Sequence, residues 1–301
     1  MSYAKRSIRL TFQLGTGDFG EASQTTVVIE GLRVLVNIVK TGSAALGTAQ
    51  LRVYGLTPNI LNKLTAIYQV PQFLRQNTVT IEAGYQGGNY SVVFIGGIIL
   101  ARADLNKQPE TVLEITAQAG LIWHVSPAQH ASYPGAVTID TILGDIVTQM
   151  NATQPANQQI TYYNAGVTAS WDTISLDGSL RDQILQVIQA AGCDWNGLDK
   201  NKLAITPKNG NVQPSDAKPP IVSPATGLIG YPAYSNIGIM IRTVFNPNIL
   251  FLGQITIQSS LKQANDTWTV FGLSYILESE VPDGKWECEV HGFSAQAVSA
   301  T

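Results

Sequence analysis

The alternation of apolar and polar residues at both ends of the chain restricts its fold more than any other feature. Near the start, Ile8, Leu10 and Phe12 form an apolar row broken by polar residues, and Trp286 and Cys288 do the same near the end. A period of two places one row on each face of a β-strand. Both ends are therefore predicted to form sheets, and short strands separated by glycines are typical of a barrel or a sandwich.

The middle of the chain has a helical period instead. Ile139, Ile142 and Ile146 lie on one helical stripe. Ser179 is a good N-cap for a second apolar stripe, which ends at Gly192. This part of the sequence predicts two helices, followed by a hairpin and then by a polar, proline-containing linker.

These patterns divide the chain into three segments. Residues 1–120 are predicted to form a first β-barrel with a short helix near 58–68, residues 121–220 an α/β module and linker, and residues 221–301 a second β-barrel. The predicted fold class is α+β, mainly β, with two similar small β-barrels flanking a small α/β module. A chain of 301 residues is long enough to bury cores of this kind.

A weak internal repeat supports the similarity of the two ends. Residues 78–98 and 254–274 both contain a strand, a polar loop and a second strand with a phenylalanine and a glycine near its end. Phe94 and Phe271 are 177 positions apart, as are Val93 and Val270. The repeat predicts two related sheets in one chain.

Two motifs that could bind a cofactor or a metal have simpler interpretations. The glycines of residues 15–20 match a dinucleotide fingerprint, but the β-branched run after them predicts a strand where that site needs a helix. His124, His130 and His291 fall in no metal-binding motif. We therefore predict no cofactor and no metal site.

Catalytic residues are equally unsupported. Asp172 and Asp177 lie near Ser175 and Ser179, but this segment precedes a helix, where such residues serve as caps. The sequence contains no nucleophile elbow and no phosphate-binding loop. We predict that the protein is not an enzyme and has no catalytic residues.

The charge pattern points to assembly. Charged residues make up 13% of the chain and the net charge is −3, against roughly 25% charged residues in a typical soluble domain. This balance argues against a free-standing nucleic-acid binder, and a neutral polar surface is easily buried between subunits. No secretory signal or membrane-spanning stretch is apparent, which predicts cytoplasmic synthesis and no membrane insertion. Cys193 and Cys288 are predicted to be buried free thiols.

Several segments, taken in order, resemble one protein family. They are IEAGYQGG leading to VVFIGGII (81–99), SLRDQILQVIQAAGCDWN (179–196), the block at 222–259 and the closing strands at 267–290. The positions that carry the resemblance as structural signature residues are Gly84, Tyr85, Phe94, Gly96, Gly227, Pro232, Gly238, Phe245, Asn246, Pro247, Gly253 and Trp286. On these segments the chain resembles the baseplate hub proteins of contractile-tailed phages, which include late control protein D and the hub-like half of type VI secretion spike proteins.

The resemblance implies a structural subunit of the virion that is assembled in the host cytoplasm. It implies a homotrimeric ring with sixfold pseudo-symmetry, joining the hexameric tail tube to a trimeric central spike and contacting other baseplate subunits. Because the sequence departs from spike-fused relatives and shows no spike repeat, we expect the central spike to be a separate protein. Tape measure and DNA would pass through the lumen without specific binding. A tail tube or distal tail structural protein is the alternative, because its strand-rich, weakly charged sequence would look similar.

Overall fold

Strands dominate the protein. The computed structural model describes residues 5–20, 23–42, 46–65, 76–106, 110–125, 128–152, 154, 158–214, 216–235 and 238–294. The first strands are β1 (Arg6–Gln13), β2 (Thr26–Ile29), β3 (Val34–Gly42), β4 (Leu46–Tyr54), β5 (Thr78–Tyr85), β6 (Tyr90–Asp104) and β7 (Val112–Gln118). The last are β13 (Ile221–Val222), β14 (Leu228–Ser235), β15 (Gly238–Val244), β16 (Gln254–Ile257), β17 (Thr267–Ser279) and β18 (Trp286–Phe293).

All thirteen of these strands belong to one sheet. The order is β14-β15-β18-β17-β3-β4-β7-β6-β5-β1-β2, with β16 beside β17 and β13 beside β16. Two five-stranded units share one antiparallel topology within it. The first unit is β3-β4-β7-β6-β5 and the second unit is β14-β15-β18-β17-β16, so each strand of one has a counterpart in the other. The internal repeat expected from sequence is present as a repeat of topology.

The mainly-β α+β class is confirmed, but the described strand pairings do not close either half into a barrel. β3 of the first unit pairs with β17 of the second from Val34↔Ser279 to Lys40↔Leu273. This pairing uses edges that closure of a separate barrel would need, and it makes the two units one continuous sheet. Residues from both units accordingly share one hydrophobic core.

A smaller module packs its own core. Its strands are β8 (Ala131–Thr138), β9 (Thr161–Asn164), β10 (Ser170–Leu176), β11 (Asp194–Trp195) and β12 (Lys202–Thr206), and its helices are α2 (Leu121–Val125), α3 (Ile139–Asn151) and α4 (Leu180–Ala191). The predicted apolar stripes are buried, with Ile142, Ile146 and Ile184 each 0% exposed. A separate hydrophobic cluster joins α3 and α4 to β12.

The helix ends follow the sequence. Ser179 caps α4, and its side chain and that of Asp182 form a reciprocal capping box, while Gly192 ends the helix in the left-handed conformation. The helix expected near 58–68 is α1 (Pro58–Leu64), although Thr57 makes no side-chain capping bond. Residues 66–68 lie outside the described residues. Among the helices that the structure describes, none is both long and apolar enough to cross a membrane.

Candidate functional site

The register of the two units identifies matched positions. β6 has an extra residue at Ile99 opposite β7, and β17 has one at Phe271 opposite β18, 172 positions later. The residue before each extra residue makes the same bond. The backbone N–H of Ile98 donates to the Asn77 carbonyl oxygen at 2.8 Å, and that of Val270 donates to the Gly253 carbonyl oxygen at 2.9 Å. The expected correspondence of Phe94 with Phe271 is therefore wrong, because the bulges shift the true alignment by five residues.

Matched charges lie on one face of the joined sheet. Arg52 lies opposite Glu114 in the first unit, and Arg242 lies opposite Glu289 in the second. The same face of the eight strands from β14 to β6, over their described residues, carries three arginines and five carboxylates. They are Arg52, Arg102, Arg242, Asp104, Glu114, Glu278, Glu287 and Glu289. This polar face therefore has a small excess of negative charge.

Ion pairs hold the side chains of the polar face in place. Glu114 accepts from Arg102 at 2.7 Å and lies 3.3 Å from Arg52, and Arg242 pairs with Glu287. The hydrogen bond from Arg102 is the main reason why the pKa of Glu114 lies below its ordinary value. An open groove of about 400 Å³ runs beside these residues, across β17, β3, β4, β7 and β6. It has a mixed lining without a focused charge, which suits a contact surface more than a catalytic cleft.

β14 and the end of β6 each have an open edge within the described part of the chain. β14 ends the order of the large sheet, and its Tyr231 and Tyr234 are 73% and 53% exposed. β6 pairs with β5 only as far as Gly97, while its pairing with β7 continues to Asp104. Residues 102–104 therefore have a described partner strand on one side only. Unpaired strand edges offer backbone donors and acceptors to another chain.

Three signature residues meet in one aromatic cluster. The rings of Phe245 and Trp286 lie 5.5 Å apart between centroids, and Tyr85 lies 6.3 Å from Trp286. Phe245 also meets Tyr275 edge-on at 5.6 Å. Tyr85 comes from β5 of the first unit, so the cluster ties the two units together. Sequence spacing gave no indication of this contact, because it spans some 200 residues of chain.

The other signature positions are dispersed over the structure. Gly238 has a φ of +149°, and a Cβ there would lie 2.0 Å from the Gly292 carbonyl oxygen, so the β14–β15 hairpin requires glycine. Pro232 is buried where β14 carries two extra residues relative to β15. The remaining positions lie in the β5–β6 hairpin (Gly84, Phe94, Gly96) and in turns of the second unit (Gly227, Asn246, Pro247, Gly253). Their role as family signatures stays a prediction.

A buried ion pair connects the module to the sheet. Lys40 of β3 is 3% exposed and its Nζ lies 2.8 Å from Asp199. The same ammonium lies 5.0 Å from the ring centroid of Tyr275 on β17. Neighbouring Lys200 has its pKa lowered to about 8, chiefly by burial. The sequence gives no signal for this pair, because Lys40 and Asp199 are 159 residues apart.

The residues considered for chemistry have structural partners. The Ser179 hydroxyl donates to Asp182 at 2.6 Å within the cap of α4, and His130 lies 2.6 Å from the exposed Asp177. The described residues contain no group of three or more metal-ligating side chains. Cys193 and Cys288 are buried free thiols whose pKa burial raises to about 11 and about 12. A raised pKa makes a thiol unreactive at neutral pH.

The polar sheet face and the open strand edges are surfaces suited to contacts with other protein chains. The sequence matches the family model described as "Baseplate hub gp41" over residues 7–284. The chain therefore belongs to the baseplate hub gp41 family, and it is a structural protein of the phage baseplate.

Solved structures share its fold. A tail protein from Neisseria meningitidis MC58 aligns with a TM-score of 0.60 at 7% identity, covering 96% of this chain and 97% of that one. The 43 kDa tail protein of prophage MuSo2 from Shewanella oneidensis gives 0.60 at 10% identity, with 96% and 97% covered.

A third similar structure is the E. coli c3393 protein, described as a component of the type VI secretion system with structural similarity to the T4 tail proteins gp27 and gp5. It gives a TM-score of 0.58 at 11% identity and covers 87% of this chain and 74% of that one. No curated protein sequence matches. At these identities the similarity establishes the fold, and the family membership rests on the sequence match.

Proposed function

We propose that three copies of this chain form the ring that joins the hexameric tail tube to the central spike. The observation that carries the proposal is the duplicated unit, in which β3–β7 and β14–β18 repeat one topology within one sheet. Three copies of a chain with two like units present six similar surfaces, which fit a sixfold tube on one side. On the other side the same ring has threefold symmetry, which fits a trimeric spike.

The polar face is the part of the sheet that we assign to the lumen. Its ion pairs satisfy most charges locally, and its excess of carboxylates over arginines offers DNA phosphates no net attraction. Tape measure and DNA would pass such a wall without specific binding. The proposed role needs no catalysis, so the ring acts as a passive adaptor in the virion, assembled in the host cytoplasm.

The proposed partners are the tail tube protein, a separate central spike protein and other baseplate subunits. The E. coli c3393 protein has structural similarity to two T4 tail proteins, gp27 and gp5, which supports other tail proteins as partners of this chain. The tube side would contact a sixfold array and the spike side a threefold one, so the two contacts should differ in symmetry.

A reconstruction of the assembled baseplate tests the proposal. We expect three copies of the chain in one ring, with the two units of each copy occupying alternate positions around the axis. Six copies in the ring would overturn the proposal and favour a tail tube or distal tail protein instead. Native mass spectrometry of the purified assembly gives an independent copy number.

A further inference from the structure

The pairing between β17 and β3 inside the chain is a template for a contact between chains. β17 is the counterpart of β6, and β3 is the counterpart of β14, in the matched strand orders. β17 and β3 pair over seven residue pairs. The counterpart strands β6 and β14 do not pair with each other within one chain. β14 and residues 102–104 of β6 each have a described partner strand on one side only.

The register of the template can be transferred to the open edges. Tyr275 pairs with Ile38 in the template. The bulges place Ala103 at the position matched to Tyr275, since both lie four residues after the extra residue. Ala49 and Ile239 are matched positions, because Ala49 pairs with β7 where Ile239 pairs with the counterpart strand β18. Ile38 pairs with Ala49, and Tyr234 pairs with Ile239. Ala103 and Tyr234 are therefore the counterparts of Tyr275 and Ile38.

We propose that β6 of one copy pairs antiparallel with β14 of a second copy, with Arg102, Ala103 and Asp104 opposite Ser235, Tyr234 and Ala233 of that copy. The inference rests on the proposed ring and specifies its subunit contact. The intrachain and interchain contacts would then alternate around one continuous sheet, with each copy contributing eight strands.

The side chains fit this register. Tyr275 and Ile38 are both 0% exposed, so in the template a large residue from the β6-type strand packs beside a medium one. In the interchain contact the small Ala103 would receive Tyr234, which lies on the core side of the sheet yet is 53% exposed in the single chain. A second copy would bury this ring. Each pair thus contains one tyrosine and one smaller side chain. The tyrosine lies on β17 in the template and on β14 in the interchain contact.

β14 is also unprotected against such pairing. Its sequence, LIGYPAYS, contains no charged residue, and charged residues on edge strands are a usual means of preventing association. Pro232 and the two extra residues confine regular pairing to Ala233, Tyr234 and Ser235 at its end. The contact is thereby limited to one register.

Disulfide trapping tests the contact in assembled baseplates. Ala103→Cys and Tyr234→Cys are combined in one chain, since directly opposed residues have Cα atoms about 4.5–5.5 Å apart, within disulfide reach. Oxidation should give covalent multimers that stop at three copies on a non-reducing gel. Each single variant, and Ala103→Cys combined with Leu228→Cys, which lies out of register, should give none. The native thiols are buried and should not contribute.

The outcomes separate this contact from the proposed function. A ring of three copies without crosslinks would overturn the β6–β14 contact and leave the trimeric hub intact. Crosslinks that extend to six copies would support the contact and overturn the trimer. If the double variant does not assemble, a reconstruction of the unaltered baseplate decides: a Cα separation above about 10 Å between Ala103 and the second copy's Tyr234 overturns the contact.

A charge placed in the contact provides a second test. Tyr234→Asp would bury a carboxylate between copies, so we expect incorporation into baseplates to fall by about tenfold or more. Val28→Asp is the matched control, because Val28 is 57% exposed on β2, at the other end of the described sheet. Equal incorporation of the two variants would overturn the proposal, provided that both fold, which circular dichroism checks.

Discussion

The two units of the large sheet share a strand order but differ at their margins. In the first unit, β5 pairs with β1 over eight residues, and β1 pairs with β2. In the second unit, the four-residue β16 pairs with β17 and, in parallel, with the two-residue β13. β3 lies inside the sheet, whereas its counterpart β14 lies at its end.

The difference shows which properties define the unit. Residue identity is largely free, since Tyr275 corresponds to Ala103 and Gly238 corresponds to Thr48. The bulges of β6 and β17 and the opposed Arg and Glu positions agree in both units. Backbone pairing geometry therefore preserves the unit, while the side chains adapt to what lies beside each strand.

The largest difference between matched positions should appear at Tyr275. Its side chain is fully buried, contacts Phe245 and donates to the Ile249 carbonyl at 3.2 Å. We expect Tyr275→Ala to lower the free energy of unfolding by about 3–5 kcal/mol. Ala103→Gly at the matched position should cost about 1 kcal/mol or less. Urea unfolding measures both losses. Similar losses for the two variants would contradict the view that Tyr275 lies in a buried contact and Ala103 at an open strand edge.

The buried ion pair at the junction should have the next largest effect. Asp199→Ala leaves the Lys40 ammonium buried without its carboxylate, which should cost about 3 kcal/mol. Adding Lys40→Met should recover much of that loss, because the unpaired charge is gone. Glu110→Ala breaks an exposed pair with Arg33 and should cost less than about 1 kcal/mol. A double variant no more stable than Asp199→Ala would argue against this explanation.

Gly238 in the β14–β15 hairpin should give a smaller difference in stability between matched positions of the two units. Gly238→Ala places a methyl group against the Gly292 carbonyl at a φ that side chains rarely adopt, so we expect a loss of about 2 kcal/mol. Thr48→Ala at the matched position in the first unit should change stability by about 0.5 kcal/mol. Thermal unfolding provides the comparison, and a neutral Gly238→Ala variant would show that the strands can separate without cost.

The smallest effect should be a pH dependence at Glu114. Its folded-state pKa lies below the ordinary value of 4.5, first because of the Arg102 hydrogen bond. As the pH falls, the unfolded chain takes up this proton first, so the stabilisation present above about pH 4.5 is lost as the pH falls through the folded-state pKa. Glu114→Gln should therefore lose less stability on acidification than the unaltered protein, as acid titration of unfolding can measure. A parallel pair of titration curves would refute the assignment.

The sequence predicted local structure well because local signals are strong. The stripe through Ile139, Ile142 and Ile146 lies on α3, and α4 begins after Ser179 and ends at Gly192, as expected. These features depend on residues three or four positions apart. The β3–β17 pairing, by contrast, joins strands more than 200 residues apart, and period-two alternation does not specify which edges meet.

The candidate site was less predictable for the same reason. The similarity of Phe94 and Phe271 suggested an alignment that the bulges at Ile99 and Phe271 correct, since an extra residue in a strand has no clear sequence signal. The opposed Arg and Glu residues and the exposed Tyr234 become meaningful only after strand pairing is known. Family resemblance indicated the protein class without indicating these contacts.

The fusion of two units in one polypeptide has a consequence for the order of assembly. Because β17 and β3 belong to the same chain, their contact forms during folding at any protein concentration. A contact made through β6 and β14 depends on encounter between molecules, so dilution opposes it and a tethering partner promotes it by raising the effective concentration. Covalent linkage thus makes half of the equivalent contacts independent of dilution, and leaves the other half available for control by the tube or the spike.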